Sequence, residues 1–230
     1  MIDYRKDLPP MPDRIARLPV EGRGYPVPWF VPWFDEHGKP VPTGQGKPDF
    51  RLMNQGALVQ AVRNSQCWIC GESLGAYRTF VIGPMCGINR ISSEPPSHLD
   101  CADFAAKACP FLSRPSAHRR ETNMPALAKE QVGIANLRNP GLALLWTTKR
   151  YRIRVMKGDG RVGGGVLFHL GEPEHVRWIC EGREATREEV MSSMDSGLVF
   201  LRAAAEEDGP AAIRELDAEY KRALRLVPAA

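Results

Sequence analysis

The chain has 230 residues, 43% of them hydrophobic and 25% charged, with a net charge of +4; this is globular composition with room for a sizeable core, and it excludes a disordered polyelectrolyte. No apolar run approaches the roughly 18–20 residues of a membrane span, and Met1-Ile2-Asp3-Tyr4-Arg5-Lys6-Asp7 has no apolar stretch behind its charges, so neither a transmembrane segment nor a secretory leader is expected and a cytoplasmic location is. In that compartment the six cysteines are thiols or metal ligands before they are disulfides.

Residues 1–50 carry Pro9, Pro10, Pro12, Pro19, Pro26, Pro28, Pro32, Pro40, Pro42 and Pro48. Proline removes a backbone donor and fixes φ, so an extended arm is predicted here rather than helix. The aromatics Trp29, Phe30, Trp33 and Phe34 are expected to pin that arm to the body, and Glu36-His37-Gly38-Lys39 reads as a turn. Over 51–64, Leu58, Val59 and Val62 fall at helical spacing, predicting a short helix that leads into the first cysteine pair. Residues 114–140, polar and broken by Pro115, Pro125 and Pro140, read as a linker.

From Gly141 to Met156 one long strand is predicted, with Arg150, Arg152 and Arg154 on one face and Tyr151, Ile153 and Val155 on the other. Gly158-Asp159-Gly160 turns the chain, Val162–Leu170 returns, and His175–Cys180 is a third strand or a helical turn. Thr186-Arg-Glu-Glu189 is a capping box, opening a helix towards Met194 for which Gly197 is a plausible stop, with Leu198–Ala205 continuing helically. Gly209-Pro210 starts a last helix with the apolar stripe Ile213, Leu216, Tyr220 and Leu224. The fold expected is α+β: an arm over 1–50, a metal-binding module over 51–113, the linker 114–140, and a small antiparallel sheet with C-terminal helices over 141–230.

Charge is unevenly distributed. Residues 111–162 carry eleven basic against three acidic side chains, and residues 163–230 carry eight against thirteen. A basic middle can neutralise an acidic tail or present a polyanion-binding surface. For the second case Lys149, Arg150, Arg152, Arg154 and Lys157 are the contact residues expected.

The most specific signal is Cys67-Trp-Ile-Cys70-Gly71, followed by His98-Leu-Asp-Cys101 at the start of a predicted helix. A Cys-X₂-Cys-Gly turn points backbone N–H groups at its sulfurs, and a tetrahedral Zn²⁺ needs two more soft ligands, which His98 and Cys101 supply. Ser97 is expected to cap the helix, and Thr79-Phe-Val-Ile82 with Gly83-Pro84 is expected to form a hairpin. Cys86, at the tip of that hairpin, is a rival for His98 and an alternative nucleophile. Cys109 lies two turns beyond Cys101, about 12 Å along the helix, and reads as a buried thiol; Cys180 reads as inert.

Knuckle, hairpin and ligand-bearing helix together resemble a treble-clef zinc module, as in zinc fingers and His-Asn-His-type nucleases. The resemblance covers about residues 67–112. Nucleases of that type carry a histidine on the hairpin as general base, whereas Phe80-Val81-Ile82-Gly83-Pro84 holds neither histidine nor acid. The segments Cys67–Gly71, Phe80–Cys86, Ser92–Pro96 and Trp178–Val190 are also similar to a family of uncharacterised bacterial and prophage proteins, which implies a phage or mobile-element setting and no activity.

Asn89, Arg90, Ser92, Ser93 and Glu94 precede His98 in a proline-stiffened loop that offers an amide, a guanidinium, hydroxyls and a carboxylate, either to a phosphate or polar ligand or to one another. Gly163-Gly164-Gly165 lacks the Gly-Lys-Ser/Thr or Gly-X-Gly-X-X-Gly context of a nucleotide loop. Three functional readings follow. The first is a zinc-stabilised nucleic-acid binder. The second is a protein-interaction module using the Trp29/Trp33 arm or the acidic tail. The third is an enzyme, either a degenerate nuclease or one built on the Asn89–Glu94 loop.

Overall fold

The structure, a computed structural model, describes residues 4–113, 141–157 and 165–229. The predicted linker, the Gly158–Gly160 turn and the start of the triglycine lie outside the described residues. Helix and strand are mixed, and the strands form small antiparallel sheets.

The N-terminal segment expected as an arm contains a helical turn α1 (Asp13–Ala16) and a three-stranded sheet. In that sheet β1 (Trp33–Phe34) lies between β2 (Pro40–Val41) and β3 (Lys47–Pro48). Both prolines sit on the outer strands, where a missing N–H is tolerated, and the central strand has none. Trp33 and Phe34 are buried. Asp35 accepts from the N–H groups of His37 and Lys39 (2.9 and 2.8 Å), closing the expected turn at Gly38, where φ is +75°.

Helix α2 (Gln55–Asn64) starts at Asn54, whose side chain accepts from Gly56 and Ala57 N–H. Next come β4 (Arg78–Ile82), α3 (Pro84–Asn89), β5 (Ile91–Ser92), α4 (Leu99–Ala108) and the short α5 (Pro110–Ser113). The predicted Thr79–Pro84 hairpin is absent: β4 runs directly into α3, because Pro84 takes the first helical position, where its missing N–H costs nothing. Ser97 is not the cap of α4 either. It forms a backbone bridge with Thr79 (2.9 and 2.7 Å), which leaves His98 at the N-cap.

The predicted strand 141–156 is two strands, β6 (Ala143–Thr148) and β7 (Tyr151–Met156), in different sheets. The chain bends at Lys149–Arg150. There the Thr148 hydroxyl accepts from Arg150 N–H (3.2 Å) and donates to the Glu172 carbonyl (2.8 Å), and Gly171 N–H bonds the Arg150 carbonyl (2.9 Å). A Cβ on Gly171 would lie 2.4 Å from that carbonyl oxygen, so the closure requires glycine.

Strand β6 is the centre of the fold. With β9 (His175–Cys180), β10 (Arg183–Glu184) and β4 it makes a four-stranded antiparallel sheet in the order β10-β9-β6-β4, so a strand from the metal segment and strands from the C-terminal region share one sheet. All six β6 residues are buried. One face packs on α4 through Ala102, Ala106, Ala143, Leu145 and Ile179. The other packs under α3, α6 (Arg187–Asp208) and α7 (Pro210–Ala223) through Leu144, Trp146, Trp178, Val190, Met194 and Leu216. Coverage on both faces explains why β6 reads as an unbroken apolar run.

Helix α6 opens with the predicted capping box but does not stop at Gly197. That glycine is buried against α3, where an added Cβ would lie 2.6 Å from the Met85 Cγ. It marks a close helix approach, not an end. Strand β7 pairs with β8 (Gly165–Leu170), and β8 pairs with β5 only at Ile91↔His169 and Ser92↔Phe168. No helix among the described residues is long and apolar enough to cross a membrane.

Candidate metal centre

The ligand atoms of Cys67, Cys70, His98 and Cys101 lie within 4.8 Å of one another. The Cys70 Sγ and Cys101 Sγ stand 3.5 and 3.9 Å from His98 Nδ1. Zinc–ligand bonds of about 2.0–2.3 Å in a tetrahedron put neighbouring ligand atoms roughly 3.5–3.8 Å apart, so the quartet fits a four-coordinate ion. Three sulfurs and an imidazole are a donor set for which zinc is typical.

Local sequence explains the convergence. Gly71 at φ +77° closes the knuckle, whose backbone bonds run Gly71 N–H to Cys67 O (2.9 Å) and Cys67 N–H to Glu72 O (2.7 Å). The Cys67 sulfur accepts N–H groups from Cys70 (3.5 Å) and His98 (3.4 Å). Hydrogen bonds from Cys101 and Cys70, with those backbone donors, hold the Cys67 thiol far below its ordinary pKa. The hydrogen bond to Cys67, the contact with Cys70 and burial push Cys101 up. At Cys70 the Cys101 contact pulls down, but Cys67 and burial outweigh it and the thiol is pushed up to about 11. Three sulfurs thus share protons in the arrangement that a dication takes over.

His98 Nε2 lies 3.1 Å from the Ser73 carbonyl. That contact selects the tautomer with its hydrogen on Nε2, leaving the Nδ1 lone pair for the centre. The N-terminal segment covers the site, which sequence reasoning missed: Ile15, Leu8, Met11 and Leu18 pack with Cys67, Ile69, Cys101 and Phe104. Trp29 donates its N–H to Ile69 O (2.8 Å) and lays its ring on Gly71, and Phe30 stacks on Trp68 at 4.6 Å. The cue was available in the alternation of prolines and aromatics over 25–34, though not what they would cover.

The remaining cysteines stay outside the quartet. Cys86 lies on α3, not on a hairpin tip, and burial raises its thiol, as it does that of Cys109. Burial likewise pushes Cys180 up to about 11, and its thiol donates to Gly141 O. None of the three has the lowered pKa of an activated nucleophile.

The Asn89–Glu94 loop is engaged within the fold. Arg90 makes a two-bond pair with Glu172 (2.6 and 3.0 Å), reaches Glu219 at 3.6 Å and lies over the Trp146 ring at 5.5 Å. Asn89 accepts from Ile91 N–H, and Ser92 bonds the backbone of Glu94 in both directions. Ser93 is exposed.

The basic residues of the β7 segment are all exposed: Lys149, Arg150, Arg152, Arg154 and Lys157. Lys149 pairs with Glu174 (3.2 Å) and sits over the Tyr77 ring. Among the described residues no carboxylate pairs with the other four, whereas Arg5, Arg14, Arg17, Arg23, Arg51, Arg90, Arg177, Arg183, Arg202 and Arg222 all have one.

No protein-family model, curated protein or solved structure matches the chain.

Proposed function

We propose that Cys67, Cys70, His98 and Cys101 hold a structural Zn²⁺ in a treble-clef-like module, and that the protein binds nucleic acid through the basic strand β7. The observation that carries the second half is the run of exposed arginines Arg150, Arg152 and Arg154, none of which has a carboxylate partner among the described residues, where ten other arginines do. An unpaired exposed arginine keeps its charge available to a phosphate. Four protein ligands leave no open position for substrate, and β4 carries no histidine or acid, so the reading is a binding protein rather than a nuclease.

Fluorescence anisotropy with labelled oligonucleotides over a salt series tests it. Contacts from three arginines to a duplex give a slope of log K against log salt of about −2.7. Salt-independent or absent binding refutes the reading.

A protein-interaction reading has one observation of its own. Val199 and Phe200, each 67% exposed, stand side by side on α6. A partner that co-purifies after nuclease treatment and is lost on Phe200→Ser would favour it.

A further inference from the structure

Resting on the reading of β7 as a nucleic-acid contact, we infer that its ligand is B-form duplex DNA, entered at the major groove by the outer half of the β7–β8 ribbon. The first support is shape. Strand β5 ends its pairing with β8 at Ser92↔Phe168, so Arg154↔Leu167, Val155↔Val166 and Met156↔Gly165 form a ribbon only two strands wide. Strands lie about 4.8 Å apart, and a B-form major groove about 12 Å wide admits such a ribbon. The deep, narrow major groove of A-form RNA does not.

The second support is the placement of charge. Arg152 and Arg154 are two residues apart on an extended strand, so they share a face at a separation of about 6.6 Å. On the same face stand His169 and Leu167 across the ladder. The opposite face carries Ile153 and Val155, and towards the body it turns Tyr151, Phe168 and Leu170 into the core. At the root of the ribbon the arginine face is therefore the one directed away from the core, and further out Ile153 and Val155 are exposed as well.

The third support is what the outer ribbon lacks. Proteins that hold unpaired strands stack bases on aromatic rings. The two rings of this ribbon are committed inward: Tyr151 and Phe168 lie 5.4 and 5.9 Å from the Phe80 centroid and 5.8 Å from each other, and Phe168 is 1% exposed. From Arg152 to Met156 and from Gly165 to Leu167 the side chains are arginine and aliphatic only. Cations with no stacking platform suit a duplex, whose bases are already stacked.

The experiment uses the full chain and three labelled probes of one sequence: duplex DNA, duplex RNA and single-stranded DNA. Duplex DNA is expected to bind tighter than either alternative by about tenfold or more. The double substitution Arg152→Gln/Arg154→Gln is expected to lower the salt slope on duplex DNA by about 1.8, with the thermal midpoint and metal content unchanged. Equal or tighter binding of single strands or duplex RNA overturns the groove assignment and leaves the nucleic-acid reading standing. Duplex binding untouched by the double substitution moves the contact off the ribbon and overturns it too. No binding to any probe ends both.

Discussion

The metal centre and the β7–β8 ribbon are opposite solutions to placing functional side chains. At the centre, Cys67 and Cys101 are fully buried, and the quartet is drawn together by a left-handed glycine, a helix start and a covering layer from the N-terminal segment. On the ribbon, Val155 is 73% exposed and the arginines lack carboxylate partners among the described residues. One region gathers donors that could hold a metal ion; the other spreads its cations on the surface. A site whose donors converge declares its chemistry through geometry, whereas an open surface declares it through the partners its charges do not have.

The sharpest way to break this contrast is to remove a metal ligand. Binding free energy at a structural site is folding free energy, so Cys67→Ser should lose the metal and roughly 5 kcal/mol or more of stability. Native mass spectrometry before and after chelation, with thermal unfolding, reads both. A Cys67→Ser protein that melts like the parent would make the cysteines ordinary core thiols. Substitutions on the outer ribbon should stay within about 0.5 kcal/mol of the parent, the expected signature of a surface kept for contact.

Phe80 anchors the ribbon on the four-stranded sheet. It lies on β4, 0% exposed, and meets Tyr151 and Phe168 at the root of the ribbon. Phe80→Ala should cost about 3–5 kcal/mol, measured by denaturant unfolding. Hydrogen exchange in β7 and β8 should rise more than in the knuckle, because the ribbon loses its anchor while the quartet keeps its own. A uniform rise would mean that the ribbon is not an appendage of the sheet but part of one cooperative unit.

Next in size is Gly71→Ala. At φ +77° the alanine is strained, and its Cβ would lie 2.9 Å from Trp29 Cγ. The loss should be about 1–3 kcal/mol, with a change in tryptophan fluorescence as the ring leaves the knuckle. Metal affinity should fall with it, since Trp29 also bonds Ile69 between the two cysteines.

The ligand quartet was legible because its information is local: a two-residue spacing, a glycine, and a helix start at His98. The capping box at Thr186 and the opening of α7 at Gly209-Pro210 were legible for the same reason. What failed was long-range. Lys149–Arg150 carries no glycine or proline, so nothing nearby announces that the chain changes sheets there; the cause lies at Glu172 and Gly171, which bond back to the bend. Gly197 looked like a helix stop because glycine usually costs helix stability, whereas its role is set by Met85, more than a hundred residues earlier. The exposure of the arginine face was equally out of reach, since alternation assigns faces without saying which one is covered.

The smallest predicted effects compare two exposed arginines. Arg183 bonds Glu189 at 3.0 and 2.6 Å, and Glu189 in turn accepts from Thr186 N–H at 2.8 Å; Arg152 has no such partner among the described residues. Thr186→Ala should cost about 1 kcal/mol, and Arg183→Gln less than that, because the pair is solvent-screened. The Arg183 guanidinium, helped by the Thr186 N–H, holds the Glu189 carboxyl down to about 2. A carboxyl whose folded pKa is lowered stabilises the fold above its unfolded value of about 4.3 and loses that contribution as pH falls below it. The gap between Arg183→Gln and parent in thermal midpoint should therefore be full at neutral pH and close between about pH 4 and pH 2. Arg152→Gln should show no gap at either pH while weakening nucleic-acid binding. A midpoint change from Arg152→Gln equal to that from Arg183→Gln would mean that the ribbon arginine serves the fold after all, and the distinction between paired and unpaired surface charge would lose its functional meaning here.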